Sequence, residues 1–227
     1  MEAIFEFTQQ LYRAAQDTST DGFQDRVLEA LAEHIRFEAA LWLTGRITGS
    51  QLHVHRLHAY RVPRASLEEV IALMRQHPQA LAMAATTPGC AQILDAAEVY
   101  AQPASREALA QVQRWGIARQ LLIASAGSSA ASGQWLSLHR PHGDAPFDAG
   151  NQDTLRLLMP HLIESRSVNR ALCLRRASSE TLLSPGPRRA VTLLDGTVLH
   201  CGGGVREARS GRTGADCACR RGCWRDC

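Results

Sequence analysis

A pair of histidines has a residue type and a spacing that could support metal binding. His53 and His55 alternate along a segment that favours a strand, so their side chains share one face and could bind a metal ion. A metal site needs further ligands, and the surrounding sequence offers none at a recognisable spacing. Solvent-facing histidines are the simpler interpretation, so we predict neither a metal site nor a cofactor.

A second group of titratable residues lies further along the chain. His139, His142 and Asp144 are close in sequence and could serve as acid and base in catalysis. No nucleophile can be assigned to them, and the G-x-S-x-G, Walker A, G-x-G-x-x-G and H-E-x-x-H motifs are absent from the sequence. We therefore predict no catalytic residues and no enzymatic activity. A small-molecule enzyme that uses His139 and His142 is the alternative.

The last 27 residues differ in composition from the rest of the chain. All 25 basic residues of the protein are arginine, and residues 201–227 hold six of them against three acidic residues. Residues 1–200 carry equal numbers of acidic and basic side chains, so the whole net charge of +3 lies in the tail. Five of the seven cysteines lie there too.

Three interpretations of this tail stay open. A zinc site could use four closely spaced thiols, but the usual long loop between two cysteine pairs is missing. A basic nucleic-acid-binding arm could use the arginines. A G+C-rich gene read out of frame would also give this composition, and we expect such a tail to be disordered. The residues concerned are Cys217, Cys219, Cys223 and Cys227 for zinc, and Arg206, Arg209, Arg212, Arg220, Arg221 and Arg225 for nucleic acid.

The elements that must position any site follow from hydrophobic periodicity. Apolar residues at helical spacing predict amphipathic helices, and alternating apolar residues on either side of turn signals predict paired strands. The predicted helices span 3–17, 22–36, 66–78, 93–99, 105–115 and 149–176, and the predicted strands span 38–47, 52–60, 119–125 and 134–139. This order predicts an α+β fold: an antiparallel sheet with flanking helices and a long C-terminal helix.

The domain organisation follows from the same pattern. We predict a domain with its own core over 1–177, a Pro- and Ser-rich linker over 178–189, the start of an incomplete second segment over 190–200, and the tail over 201–227. No apolar run is long enough for a membrane helix, and the acidic N-terminus does not have the pattern of a secretory signal. A cytoplasmic protein without membrane contact is the expectation.

Aromatic residues and leucines supply the candidate functional residues. Trp42, Tyr60, Trp115 and Trp135 lie on or beside predicted strands and could line a small-molecule pocket, although simple core packing is the alternative. Along the long C-terminal helix, a 3–4 spacing of leucines predicts a seam for pairing with a second copy of the chain. The leucines are Leu155, Leu158 and Leu162. A helix that merely covers the sheet would show the same spacing.

Several segments together resemble the N-terminal sensory region of LuxR-type bacterial transcriptional regulators. The segments are L-Y-R-A-A at 11–15, L-E-A-L-A at 28–32, A-A-L-W at 39–42, W-G-I-A at 115–118 before the strand at 121–125, L-H-R-P at 138–141, A-P-F-D at 145–148 and L-L-M-P-H-L at 157–162, of which the last is the most telling. The resemblance covers about residues 1–200. It implies a GAF- or PAS-like region that binds a small molecule, a second PAS-like segment, and a homodimer that signals through its C-terminal helix. It also implies a DNA-binding helix-turn-helix, of which no pattern follows here, so we expect the DNA-binding domain to be missing from this chain.

Overall fold

The computed structural model describes residues 2–49, 51–62, 67–126, 133–183, 190–192 and 198–201, and it divides into two compact units, Met1–Cys173 and Leu174–Cys227. The described helices are α1 (Glu2–Asp17), α2 (Thr20–Ala32), α3 (Leu67–Gln76), α4 (Gln79–Thr86), α5 (Ala96–Val99), α6 (Arg106–Arg114) and α7 (Ala149–Leu183). The described strands are β1 (Ala39–Thr48), β2 (Gln51–Tyr60), β3 (Gln92–Asp95), β4 (Arg119–Ala126), β5 (Gly133–Arg140), β6 (Ala190–Thr192) and β7 (Val198–Cys201).

An antiparallel sheet organises the first unit, with strand order β2-β1-β5-β4-β3. The predicted hairpins β1–β2 and β4–β5 are both present, and β1 pairs with β5 in the middle of the sheet. Because side chains alternate along a strand, each strand sends residues to two faces. We define the first face by Trp42, Ile123 and Leu136, and the second face by Leu43 and Trp135.

Helices α1, α2 and α7 cover the first face and build the larger core. Their apolar residues recur every three or four positions, so each helix presents one continuous stripe to the sheet. The buried side chains of this core include Phe7, Leu11, Phe23, Val27, Leu28, Leu31, Trp42, Leu121, Leu136, Leu158 and Leu162. Burial of these apolar side chains stabilises the sheet, whose second face is covered by the remaining helices.

Helices α3 and α4 cover the second face, and α5 and α6 extend this layer. Leu81 and Ala84 of α4 pack against Leu122 and Trp135 of the sheet. The Trp135 indole N–H donates to the Leu81 carbonyl oxygen at 3.0 Å, which ties α4 to β5. These helices are short, between four and ten residues. Short helices hold few internal hydrogen bonds, so this layer depends on its packing against the sheet.

The predicted helix over 93–99 is wrong in its first half. Residues 92–95 form the edge strand β3, paired with the start of β4, and α5 begins only at Ala96. The Asp95 carboxylate accepts from the Ala97 backbone N–H at 2.8 Å and so caps α5. An edge strand of four residues is stabilised mainly by pairing with its neighbouring strand. The local sequence pattern does not predict this pairing.

The C-terminal helix is longer than predicted, because α7 runs from Ala149 to Leu183 with Pro160 inside it. The Asp148 carboxylate accepts from the Asn151 backbone N–H at 2.8 Å and so caps the start of α7. In the second unit, β6 pairs with β7 in antiparallel fashion, within the segment predicted over 190–200. The predicted linker over 178–189 is helical over 178–183, where α7 continues, and its remainder lies outside the described residues, as does the predicted tail over 201–227 from residue 202 onward.

Candidate ligand pocket

A cavity of about 60 Å³ lies between the second face of the sheet and the layer formed by α3, α4, α5 and α6. Its wall is mostly apolar. The sheet contributes side chains from β1, β4 and β5, and the helices close the opposite side. The apolar lining includes Leu41, Leu43, Val70, Leu73, Met74, Leu81, Val112, Ile117, Leu122, Trp115 and Trp135. We call this space the second-face cavity.

The four aromatic residues predicted for a pocket divide between the two faces. Trp115 and Trp135 line the second-face cavity. Trp42 is buried in the core under α1, α2 and α7, with its indole N–H donating to Gln134 Oε1 at 3.3 Å. Tyr60 lies in the same core, edge-to-face with Phe37 at 6.0 Å between ring centroids. The structure therefore brings two of the four residues together at the cavity and places the other two behind the sheet.

A hydrogen-bonded pair of polar residues interrupts the apolar wall. Ser137 and His139 both belong to β5 and both line the second-face cavity. Ser137 Oγ and His139 Nε2 are 2.7 Å apart. The His139 side chain is buried, and its second ring nitrogen, Nδ1, has no hydrogen-bond partner among the described residues. The sequence could have shown this placement, because Trp135, Ser137 and His139 alternate along one strand and must share a face.

Burial determines the protonation state of His139. Desolvation lowers the pKa of this imidazole from 6.5 to about 4, so the ring is neutral near pH 7. A base with such a low pKa is poorly matched to proton abstraction at neutral pH. His142 is exposed on the loop after β5 and does not line the cavity with His139. The pair of histidines considered for catalysis is therefore not assembled, and Ser137–His139 is better suited to binding.

The charge of the wall limits what the cavity could hold. Among the described residues that line it, none is Arg, Asp or Glu. Besides Ser137 and His139, its polar side chains include those of His77 and Gln120. Burying an ionised group here would leave the charge unpaired in an apolar surrounding, which is strongly unfavourable. The arrangement favours an uncharged, largely apolar molecule.

The leucines predicted for a dimer seam lie elsewhere than expected. Leu155, Leu158 and Leu162 are each fully buried in the core of the first face. Their 3–4 spacing serves the contact between α7 and the sheet of the same chain, which corrects their assignment to a seam between copies. Leu157 lies on the opposite side of α7 and is 52% exposed.

Two polar side chains of α7 fasten this helix to the rest of the first unit. Arg166 Nη1 donates to Thr44 Oγ1 at 3.0 Å and to Gln134 Oε1 at 2.8 Å. Asn169 Nδ2 donates to the carbonyl oxygens of Ala15 and Thr18 at 3.1 and 2.7 Å. Thr44 and Gln134 are the sequence neighbours of two cavity-lining residues on β1 and β5. The helix is therefore bonded to the strands whose other face lines the cavity.

Arg140 organises the loop that leads into α7. Its guanidinium donates to the carbonyl oxygens of Arg36, Ala145 and Pro146 at 2.7 to 2.9 Å, and it lies 4.0 Å from the centroid of the Phe147 ring. Arginine suits this position because its donors are spread over a rigid planar group. Two of the motifs behind the family resemblance, the R-P and P-F pairs, are thus parts of one hydrogen-bonded turn.

The remaining predicted sites are placed as follows. His53 and His55 are exposed on β2, and no three His, Cys, Asp or Glu residues gather into a metal-binding group within the described part of the chain. The four cysteines considered for zinc and the six arginines of the tail lie beyond the described residues. Over the ranges that the structure describes, none of the helices has the length and apolar character required to cross a membrane.

Comparison with known proteins supports the fold. No family model and no curated protein sequence matches the chain. Among solved structures, the chain is similar to the N-acylhomoserine lactone dependent LuxR family transcription factor CepR2 from Burkholderia cenocepacia, with 15% identity and a TM-score of 0.56 over 77% of this chain and 99% of that one. It is also similar to SdiA from Escherichia coli, with 12% identity and a TM-score of 0.51 over 79% and 77%.

A further structure, SdiA in complex with octanoyl-rac-glycerol, matches with 14% identity and a TM-score of 0.51 over 80% of this chain and 70% of that one. At these identities the comparisons establish the fold. The resemblance predicted from the sequence is confirmed at that level: the chain has the α+β fold found in a LuxR-family transcription factor.

Proposed function

We propose that this chain is the sensory region of a LuxR-type transcriptional regulator and that it binds a small uncharged molecule in the second-face cavity, beside Trp115 and Trp135. The observation that supports this most is an apolar cavity whose wall includes the buried, hydrogen-bonded pair Ser137 and His139. The fold supports the proposal, because CepR2 is N-acylhomoserine lactone dependent and SdiA has been solved with octanoyl-rac-glycerol.

Binding in this cavity would require the helical layer to move. The cavity of about 60 Å³ is much smaller than the roughly 300–1,000 Å³ of sites that hold drug-sized ligands. A molecule with an eight-carbon chain fits only if α3–α6 shift away from the sheet. Such a ligand would select a more open arrangement, so binding would shift the population of states.

The C-terminal helix is the proposed route for the signal. Leu43 and Trp135 line the cavity, while their chain neighbours Thr44 and Gln134 accept hydrogen bonds from Arg166 of α7 on the other face. A displacement of β1 and β5 by a ligand would therefore change the bonds that hold α7. The proposed output is DNA binding, as the resemblance to LuxR-type regulators implies.

Pairing of two copies belongs to the same proposal. The outer side of α7, with the exposed Leu157, would form the contact, since the leucines first assigned to it are buried. Sedimentation velocity measures the oligomeric state, and we expect a dimer. A monomer at every concentration tested would contradict the proposed pairing through α7.

Thermal unfolding in the presence of two probes, octanoyl-rac-glycerol and N-octanoyl-homoserine lactone, tests the binding step. A compound at a hundred times its Kd adds about 2.7 kcal/mol, which raises the midpoint by about 5–10 °C for a domain of this size. Ala80 lines the cavity, so Ala80→Leu fills it and is expected to abolish the shift. Ala85→Leu, at an exposed position of the same helix, is the matched control and keeps the shift. Absence of a shift with both probes contradicts the proposal, as does an equal shift in both variants.

A further inference from the structure

The unpartnered nitrogen of His139 calls for an explanation. Its side chain is only 3% exposed, and Nδ1 meets no hydrogen-bonding atom of the described residues. Buried polar groups in native proteins nearly always have a partner, because leaving one unpaired costs its full desolvation. His139 lines the second-face cavity, so the missing partner can be a molecule that enters this cavity.

The hydrogen bond to Ser137 indicates which form the ring takes. If the Ser137 hydroxyl donates to Nε2, the ring proton is on Nδ1 and only that N–H lacks a partner. If instead Nε2–H donates to Ser137 Oγ, the Nδ1 lone pair and the Ser137 hydroxyl proton both lack partners. The first arrangement leaves fewer unpaired groups, so the contact with Ser137 favours the tautomer with the proton on Nδ1.

We propose that His139, held by Ser137 in this tautomer, donates the hydrogen bond from Nδ1 that recognises an oxygen acceptor of an uncharged ligand. The inference rests on the proposed function and names the chemistry of its ligand: a carbonyl, ester, lactone or hydroxyl oxygen on an otherwise apolar body. The wall supports this choice, because its described residues include no arginine for a carboxylate or phosphate and no carboxylate for an amine. A donor in an apolar wall selects for a group that a hydrocarbon does not have.

Two variants of His139 separate recognition from packing. An asparagine amide reaches the position of Nδ1, whereas a glutamine amide reaches that of Nε2. His139→Asn therefore keeps a donor where the ligand needs it, and His139→Gln removes that donor but keeps a group toward Ser137. The affinities of two probes, octanoyl-rac-glycerol and hexylbenzene, are measured by titration calorimetry for the wild type and both variants.

The inference expects His139→Gln to weaken octanoyl-rac-glycerol about tenfold or more, while hexylbenzene binds with unchanged affinity. His139→Asn is expected to stay within about threefold of the wild type for both probes. An equal loss for both probes in His139→Gln shows a purely structural role and overturns the inference, as does an unchanged affinity for octanoyl-rac-glycerol. If neither probe binds the wild type, the proposed function itself fails, and this inference fails with it.

A measurement on the free protein tests the tautomer without a ligand. The ¹⁵N chemical shifts of the His139 ring distinguish a protonated Nδ1 from a protonated Nε2. The inference expects the proton on Nδ1 in the wild type. A proton on Nε2 overturns the inference even where both probes bind, and leaves the proposed function standing.

Discussion

Lowering the pH is expected to destabilise the protein through His139. The unfolded state has an ordinary histidine pKa of about 6.5, whereas burial lowers the pKa of His139 in the folded state to about 4. The stabilising contribution is therefore complete above pH 6.5 and is lost as the pH falls toward 4, because the unfolded chain binds the proton first. Each pH unit in this window costs about 1.36 kcal/mol, so pH 5.0 costs about 2 kcal/mol relative to pH 7.5.

Urea unfolding at pH 7.5 and pH 5.0 measures this loss. Other groups also titrate in this range, so the wild type is compared with His139→Asn, in which the titrating imidazole is gone. The wild type is expected to lose about 2 kcal/mol more than the variant between the two pH values. Equal losses in the two proteins would refute the reasoning, since they would mean that His139 is protonated as readily when folded as when unfolded.

Two further predictions concern packing, each with a matched control measured by urea unfolding. Leu158→Ala is expected to lower the free energy of unfolding by about 2–5 kcal/mol, because this side chain is fully buried. Leu157→Ala, at an exposed position of the same helix, is expected to change it by no more than about 0.5 kcal/mol. Similar losses in the two variants would contradict the assigned faces of α7. Gly45→Ala is expected to lower the free energy of unfolding by about 1–3 kcal/mol, because an added Cβ would lie 2.6 Å from the His53 carbonyl oxygen. At Gly143 an added Cβ meets open space, so Gly143→Ala is the control. Equal stability of the two variants would contradict this close approach of β1 to β2.

The sequence was sufficient for most of the fold, because both main hairpins and the long helices carry clear periodicity. The edge strand at 92–95 was missed, since its four residues are held by pairing with β4 rather than by a pattern of their own. The start of the second helix was placed two residues late, because its N-cap is Ser19. Neighbouring polar residues at a helix start are equivalent as signals until the backbone geometry is known.

The candidate site was only partly predictable, for a reason of topology. Alternation along one strand shows which of its residues share a face, but not which layer of helices covers that face. Trp42 and Trp135 therefore looked alike in sequence, although one faces α7 and the other faces the cavity. The same holds for Leu155, Leu158 and Leu162 of α7. Their spacing could not show whether the helix packs on the sheet or on a second copy, because both contacts use the same spacing.

The central claim is that the second-face cavity receives the ligand, and nuclear Overhauser contacts test it most directly. The protein is labelled at leucine methyl groups and titrated with octanoyl-rac-glycerol. The account predicts contacts from the octanoyl chain to Leu43 and Leu122, which line the cavity, and none to Leu136 and Leu138, which lie on the opposite face of the sheet. Contacts to Leu136 and Leu138, or none to any of the four, would contradict it.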